Sequence, residues 1–287
     1  MHLSILSDGK LGHENQSLGL AEALAEEIDL TYQIHRPKSK IPRVEQPSAI
    51  IAAGHKTHLR LLTQSRRFKC PSILIMKPSL PTTLFTRCLA PEHDYLDANT
   101  TPPNVILTKG ALNRIPSQLP KKKTQGLIML GGYSKHFHWK LERILQAIIT
   151  IVSANPHLKW LVADSRRTPP ATLTAIADLD LSLQTISHET APNNWLRDTL
   201  LESQIAWVTP DSTSMVFEAL TAGCRLGTLP LKRLDTKMAR FHEQMATENW
   251  FSRFADQEQP GTAPILPPLR LHETSRCAKL LLPLLQP

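Results

Sequence analysis

Short apolar runs rich in β-branched residues recur along this 287-residue chain, and each gives way to a helix-length amphipathic stretch. That alternation leaves few solutions, because it is the pattern of parallel sheets joined by crossover helices. In the first half, Leu3 to Leu6 reads as a strand, Glu14 to Glu27 as a helix and Ala49 to Ala53 as a second strand. His55 to Gln64 follows as a helix and Ser72 to Met76 as a strand, and Val105 to Leu107 is expected to close the sheet. Between Asn113 and Gln125 come two prolines and a lysine triplet without periodic apolar positions, so this stretch reads as a linker. A second α/β series follows. Its expected strands are Gly126 to Leu130, Trp160 to Ala163, Ser182 to Ile186, Ile205 to Val208 and Leu226 to Leu229. Its helices fall near Trp139 to Ser153, Asn194 to Glu202 and Ser214 to Ala222.

The length suits two domains of about 100 to 170 residues each. The reading places them at 1–118 and 126–265, with a C-terminal segment 266–287, helical over His272 to Leu282, packing back toward the first domain. Apolar residues at 41% and charged residues at 20% fit a globular chain. The net charge of +8 is spread out, its densest run being Lys121-Lys122-Lys123, so nucleic acid is not expected as a partner. Phosphate groups of a nucleotide or an anionic lipid surface suit that charge better. Cys70, Cys88, Cys224 and Cys277 lack the spacing of a zinc or redox motif. Met1 to Asp8 becomes polar too soon for a signal peptide, and no apolar run nears the roughly 18 residues of a membrane span, so a cytoplasmic location is expected.

Open parallel sheets bind ligands where a strand gives way to a helix, and four such junctions carry unusual residues. Ser7-Asp8-Gly9-Lys10-Leu11-Gly12-His13 follows the first strand; its glycines could bring amides to an anion or simply turn the chain into the helix. The full dinucleotide fingerprint is missing, which argues against an NAD dehydrogenase. Leu130-Gly131-Gly132-Tyr133-Ser134 opens the second series, and its bare backbone could meet a diphosphate, with ordinary turn chemistry as the competing reading. Arg166 and Arg167 stand at a strand end before Pro169-Pro170, where guanidinium forks suit phosphate oxygens. The fourth junction is the most specific. Pro210-Asp211-Ser212-Thr213-Ser214 delivers hydroxyls to a helix start, and Glu218 lies about one turn along the same face from Ser214, where a carboxylate can accept ribose hydroxyls. The plainer alternative is a capped helix with a solvated glutamate.

This last motif resembles the donor-binding signature of twin-Rossmann glycosyltransferases, including the bacterial transferase that adds N-acetylglucosamine to the peptidoglycan precursor. The chain as a whole resembles the family named for a plant mitochondrial fission protein, whose bacterial members are described as glycosyltransferases or nucleoside-diphosphate-sugar epimerases. The resembling stretches are Asp8 to Gln16 with Gly19-Leu20-Ala21, Pro91-Glu92-His93-Asp94, Pro103-Asn104-Val105, Gly131-Gly132, Ser165 to Pro169 and Asp211 to Met215. Gly223-Cys224-Arg225-Leu226 departs from the pattern, since related chains more often carry a small or basic residue and then proline there. The resemblance implies an α/β fold of two Rossmann-like domains facing a cleft. It places the diphosphate of a nucleotide sugar near Ser212, Thr213, Ser214 and Gly132 and the ribose at Glu218, and with the junction residues read above, Gly9, Gly12, Gly131, Ser134, Arg166, Arg167 and Asp211, these make the expected donor site. The acceptor would lie against the first domain, and Gly12-His13 resembles a Gly-His pair whose histidine neighbours the reacting hydroxyl.

Glycosyl transfer needs a base for the acceptor hydroxyl and donors for the departing diphosphate. Asp8 and His13 are the first candidates for the base, and Asp94 the third. No cofactor or metal is required. Asp178-Leu179-Asp180 and the pair His136 and His138 read as turn and surface residues and not as metal ligands. The expected partners are a nucleotide-sugar donor and a cell-envelope glycan or lipid-linked acceptor, with peripheral association at the inner face of the cytoplasmic membrane. A sugar-nucleotide epimerase and a non-catalytic membrane-associated interaction protein are the rival readings.

Overall fold

The computed structural model describes residues 1–39, 41–42, 46–95, 98, 100–234 and 237–285. Its helices are α1 (Leu11–Ala25), α2 (His58–Phe68), α3 (Leu141–Ala154), α4 (Ala171–Ala177), α5 (Trp195–Glu202), α6 (Thr213–Thr221), α7 (Lys237–Thr247) and α8 (Glu273–Leu285). Two units divide the chain. One comprises Met1–Ser117 with His272–Pro287, and the other Gln118–Leu271.

The first unit is built on β1 (His2–Leu6), β2 (Thr31–His35), β3 (Ala49–Ala53), β4 (Ser72–Ile75), β5 (Arg87–Pro91) and β6 (Val105–Thr108). They form one parallel sheet in the order β2-β1-β3-β4-β5-β6, so the chain reverses direction across the sheet between β1 and β3. Side chains alternate faces. Leu3, Ile5, Ile51 and Ile73 pack with Leu20 and Leu24 of α1 and Leu281 of α8, whereas Leu6, Ile50 and Leu74 pack with Leu61 of α2. Burial on both faces is why these strands read as unbroken apolar runs. β2 is one of the two edge strands, exposed over Thr31, Tyr32 and Gln33, and lacks that signal.

The second unit carries β7 (Lys123–Met129), β9 (Lys159–Ala163), β10 (Leu183–Ile186), β11 (Ser203–Val208), β12 (Arg225–Thr228) and β14 (Ser252–Arg253), while β8 (Phe137–His138) and β13 (Lys232–Arg233) pair as a short antiparallel ribbon. Its six-stranded sheet is again parallel, in the order β10-β9-β7-β11-β12-β14, with the reversal between β7 and β11. Ile128, Val162 and Ile205 face Ile144, Ile148 and Ile151 of α3. Two tryptophans complete that layer at the expense of their neighbours' side chains. Gly126 is the register partner of Trp160 and Gly227 of Trp207, and a Cβ on either glycine would lie 2.4 Å from the indole.

Three expectations change. α1 begins at Leu11 and not at Glu14, and α2 follows a single 3-10 turn at His55–Thr57. The stretch 113–125 is structured at both ends, because the Asn113 amide and carbonyl both bond Thr274 Oγ1 and β7 starts at Lys123. β2 and β5 were not foreseen.

Candidate functional site

In an open parallel sheet the crevice forms at the carboxyl ends of the two strands that flank the reversal. In the first unit those ends are Ser7 to Lys10 after β1 and Gly54 after β3. Gly9 and Gly54 take φ of +83° and +85°, conformations that glycine adopts without Cβ strain. Asp8 Oδ1 accepts the Lys10 amide at 3.0 Å, and its Oδ2 lies 3.0 Å from His13 Nδ1. Burial alone would raise the Asp8 carboxyl, but the Lys10 amide, the His13 hydrogen bond and the nearby positive charges outweigh it and hold it below the usual range. A carboxylate on Nδ1 keeps the proton of a neutral ring there, which leaves the Nε2 lone pair to act as a base. Gly54 makes room for that ring: a Cβ on it would sit 2.4 Å from His13 Cε1 and Nδ1. Ser7 Oγ donates to Glu14 and accepts the Gly9 amide, bracing the turn.

Asp94 sits on a 3-10 turn after β5, at the same carboxyl edge. β5 is three strand spacings from β1, about 14 Å, so the fold brings Asp8 and His13 together and leaves Asp94 apart. Its carbonyl accepts Lys77 Nζ at 2.7 Å. Gly12 lies within α1 at a negative φ, and nothing comes within 4 Å of its missing Cβ. It is therefore no turn glycine; it keeps the space above the helix start open.

In the second unit the reversal sets Leu130-Gly131-Gly132 beside Pro210-Asp211-Ser212. Here the expectation of bare glycine amides needs correction. The Gly131 amide donates to Thr209 Oγ1 at 2.6 Å, the Gly132 amide to Asp211 Oδ2 at 2.9 Å, and the Tyr133 amide to the Arg167 carbonyl at 3.3 Å. A Cβ on Gly131 would overlap the Asp211 carboxylate, and one on Gly132 the Arg167 carbonyl. These glycines permit tight packing of strand ends; their amides do not face a ligand. Asp211 is corrected with them: its side chain is wholly buried and ties the β7 turn to Arg167, whose Nη1 lies 2.8 Å away. Ser165 Oγ and Thr168 Oγ1 bond the Gly131 carbonyl from the β9 side. Ser134 Oγ accepts the His136 amide. Of the two arginines, Arg167 is held in this lock, whereas Arg166 is exposed and forms no ion pair among the described residues.

What remains open is the start of α6. Among the described residues no side chain caps it; Ser212 occupies the cap position, and Ser214 is exposed. The Ser214 and Met215 amides have no intrahelical acceptor and point with the helix dipole toward any anion placed there. One turn on, the half-buried Glu218 makes no side-chain hydrogen bond or ion pair among the described residues, and burial pushes its carboxyl up to about 7. A half-buried carboxyl shifted upward, with no partner among the described residues, is characteristic of functional sites. A cavity of about 310 Å³ reaches Pro210 after β11 and is walled by Leu229, Pro230, Phe251 and Phe254, with His242 and Glu243 of α7. Gly54, and the Asp164 carboxylate that joins the β9 and β10 loops through the His188 amide and Nδ1, were not foreseen. A glycine directly after the apolar run Ala49 to Ala53 is the signal that could have found the first.

Among the described residues no group of three or more His, Cys, Asp or Glu side chains could hold a metal ion, and no helix is long and apolar enough to cross a membrane. Asp178 is the C-terminal cap of α4.

A family model described as mitochondrial fission ELM1 matches residues 11–285. Among solved structures, the chain is similar to a Listeria monocytogenes protein provisionally assigned as a UDP-N-acetylglucosamine 2-epimerase, at 12% identity and a TM-score of 0.53, covering 86% of this chain and 82% of that one. It is also similar to Phytolacca americana UGT2, solved with UDP-2fluoro-glucose and pterostilbene, at 10% identity and a TM-score of 0.52, covering 98% and 90%. At such identities the likeness is one of fold: α/β, with two Rossmann-like units of the glycosyltransferase-B kind. No curated protein matches the sequence.

Proposed function

Taking as premise that the chain belongs to the mitochondrial fission ELM1 family, we propose that it is a metal-independent glycosyltransferase. It moves a sugar from a nucleotide-sugar donor to a cell-envelope glycan or lipid-linked acceptor. The observation that carries this reading is Glu218, a carboxyl burdened by burial and without a side-chain partner among the described residues, one turn beyond a helix start that no described side chain caps. A nucleoside diphosphate satisfies both features at once. Its phosphates take the Ser214 and Met215 amides, with Ser212, Thr213 and Arg166 beside them, and its ribose hydroxyls donate to Glu218.

The first unit receives the acceptor hydroxyl. His13 Nε2 takes its proton while Asp8 holds the ring and stabilises the imidazolium that forms. As the acceptor oxygen bonds to the anomeric carbon, the bond from that carbon to the diphosphate breaks, and the electron pair leaves with the diphosphate. The helix-start amides and Arg166 stabilise the charge that develops.

A thermal-shift series with UDP, GDP, ADP and CMP sugars tests the donor site, since a ligand at 100 times its Kd adds about 2.7 kcal/mol. One nucleotide should stabilise the protein and lose that effect in Glu218→Ala. No shift with any of them would overturn the reading. Donor that is isomerised without any acceptor would assign the same site to an epimerase, an activity that one of the similar folds is named for.

A further inference from the structure

The amino-terminal edge of the second sheet lies a strand length from the site just described, about 15–20 Å, and its surface is of a different kind. β9 opens at Lys159 and β12 at Arg225, both exposed, and Lys121 stands exposed just ahead of β7. Lys122 is turned inward onto the carbonyls of Leu200 and Ala222, and Lys123 is paired with Glu202 at 2.5 Å. Lys121, His157 and Lys159 have no carboxylate partner among the described residues.

Along this edge runs Thr262-Ala263-Pro264-Ile265-Leu266-Pro267-Pro268-Leu269, held by a hydrogen bond from Arg225 Nη1 to the Pro264 carbonyl at 3.3 Å. Ile265, Leu266 and Leu269 are 41%, 65% and 60% exposed. Leu266 and Arg225 line one cavity of about 400 Å³, with His157, two residues before Lys159, on the same wall.

Large aliphatic side chains held in water next to unpaired cations mark a surface that something covers. Three prolines in eight residues remove the backbone N–H groups that a strand-adding protein partner needs. An anionic bilayer needs no such register. Aliphatic side chains sink to the acyl boundary while lysine and arginine meet the headgroup phosphates.

We propose that this edge of the second unit docks the protein on an anionic lipid bilayer, with Leu266 and Leu269 at the acyl boundary and Lys159 and Arg225 against lipid phosphates. The docking surface is separate from the Glu218 site and does not rest on the function assigned to it.

Co-sedimentation of the full chain with phosphatidylcholine vesicles, with and without about 30% phosphatidylglycerol, tests the proposal. Partition should favour the anionic vesicles by at least about tenfold and weaken as salt is raised, since surface charge is screened. Lys159→Gln with Arg225→Gln should reduce it about 25-fold, at roughly fivefold per cation. Leu266→Ser with Leu269→Ser should reduce it by about tenfold or more. Leu59→Ser, which alters a leucine 72% exposed in the first unit, should leave it unchanged. Near-UV circular dichroism confirms that each variant is folded. No sedimentation of the native chain with anionic vesicles, as a protein partner would have it, overturns the proposal. So does partition that is indifferent to the two double variants, or that falls as far in Leu59→Ser.

Discussion

Replacing Glu218 by glutamine should stabilise the protein, and more so as pH rises. An ordinary glutamate titrates near 4.5, and the folded chain holds the Glu218 carboxyl at about 7 because burial penalises its charged form. The folded state therefore binds more protons than the unfolded state between those values. The contribution of this carboxyl to stability is fully present below pH 4.5 and is lost as pH rises through 7. At about 1.4 kcal/mol for each pH unit, the full cost is about 3 kcal/mol above pH 8 and about 1 kcal/mol at pH 5. Glutamine fills the same volume without titrating, so the gain of Glu218→Gln over the native chain should be about 2 kcal/mol larger at pH 8 than at pH 5. For a unit of this size that is a further rise in Tm of about 4–8 °C. Differential scanning calorimetry at the two pH values, following the transition of the second unit, reads it directly. An equal gain at both would refute the reasoning, because it would mean that the carboxyl is as well solvated in the folded chain as in the unfolded one.

Three further outcomes follow from the geometry. Donor affinity measured by isothermal titration should be flat above pH 7 and weaken below it, toward about tenfold per pH unit, as Glu218 protonates, and Glu218→Gln should remove that dependence. Asp8→Asn should lower turnover by about 10³-fold or more with donor binding intact, since an amide cannot hold the His13 tautomer, and Gly54→Ala should lower it through the same ring. Asp211→Ala should cost the second unit about 3 kcal/mol in urea denaturation, for it strands the Gly132 amide, and Arg167→Ala should cost at least as much, since it leaves the wholly buried Asp211 carboxylate without its ion-pair partner.

Much of the scaffold was legible because parallel strands buried on both faces carry continuous apolar runs, and Ala49–Ala53 was read with its true bounds. β2 was not, since an edge strand with polar, exposed residues has no such run, and β5 was hidden by an arginine at its start and a proline at its end. α1 was begun one turn late because no capping side chain marks its start. At the site, the spacing from Ser214 to Glu218 was visible as one helical turn, but the missing partner of Glu218 depends on every element around it. The Gly-Gly turn shows the limit of local pattern. Its glycines answer to Asp211 and the Arg167 carbonyl, groups far away along the chain, and nothing within the turn distinguishes that need from a phosphate's.

The return of α8 to the first unit has a consequence for biosynthesis. Leu281 and Leu285 complete the layer formed by Leu20 and Leu24 of α1, yet the whole stretch 118–271 is translated between them. About 250 residues separate α1 from α8, so at roughly 5–20 residues per second a ribosome exposes the open face of α1 for on the order of ten to fifty seconds before the helix that covers it is made. The second unit, contiguous in the chain, can fold during that interval. The first unit is therefore the last to close although it begins first, and it is the half most in need of a chaperone.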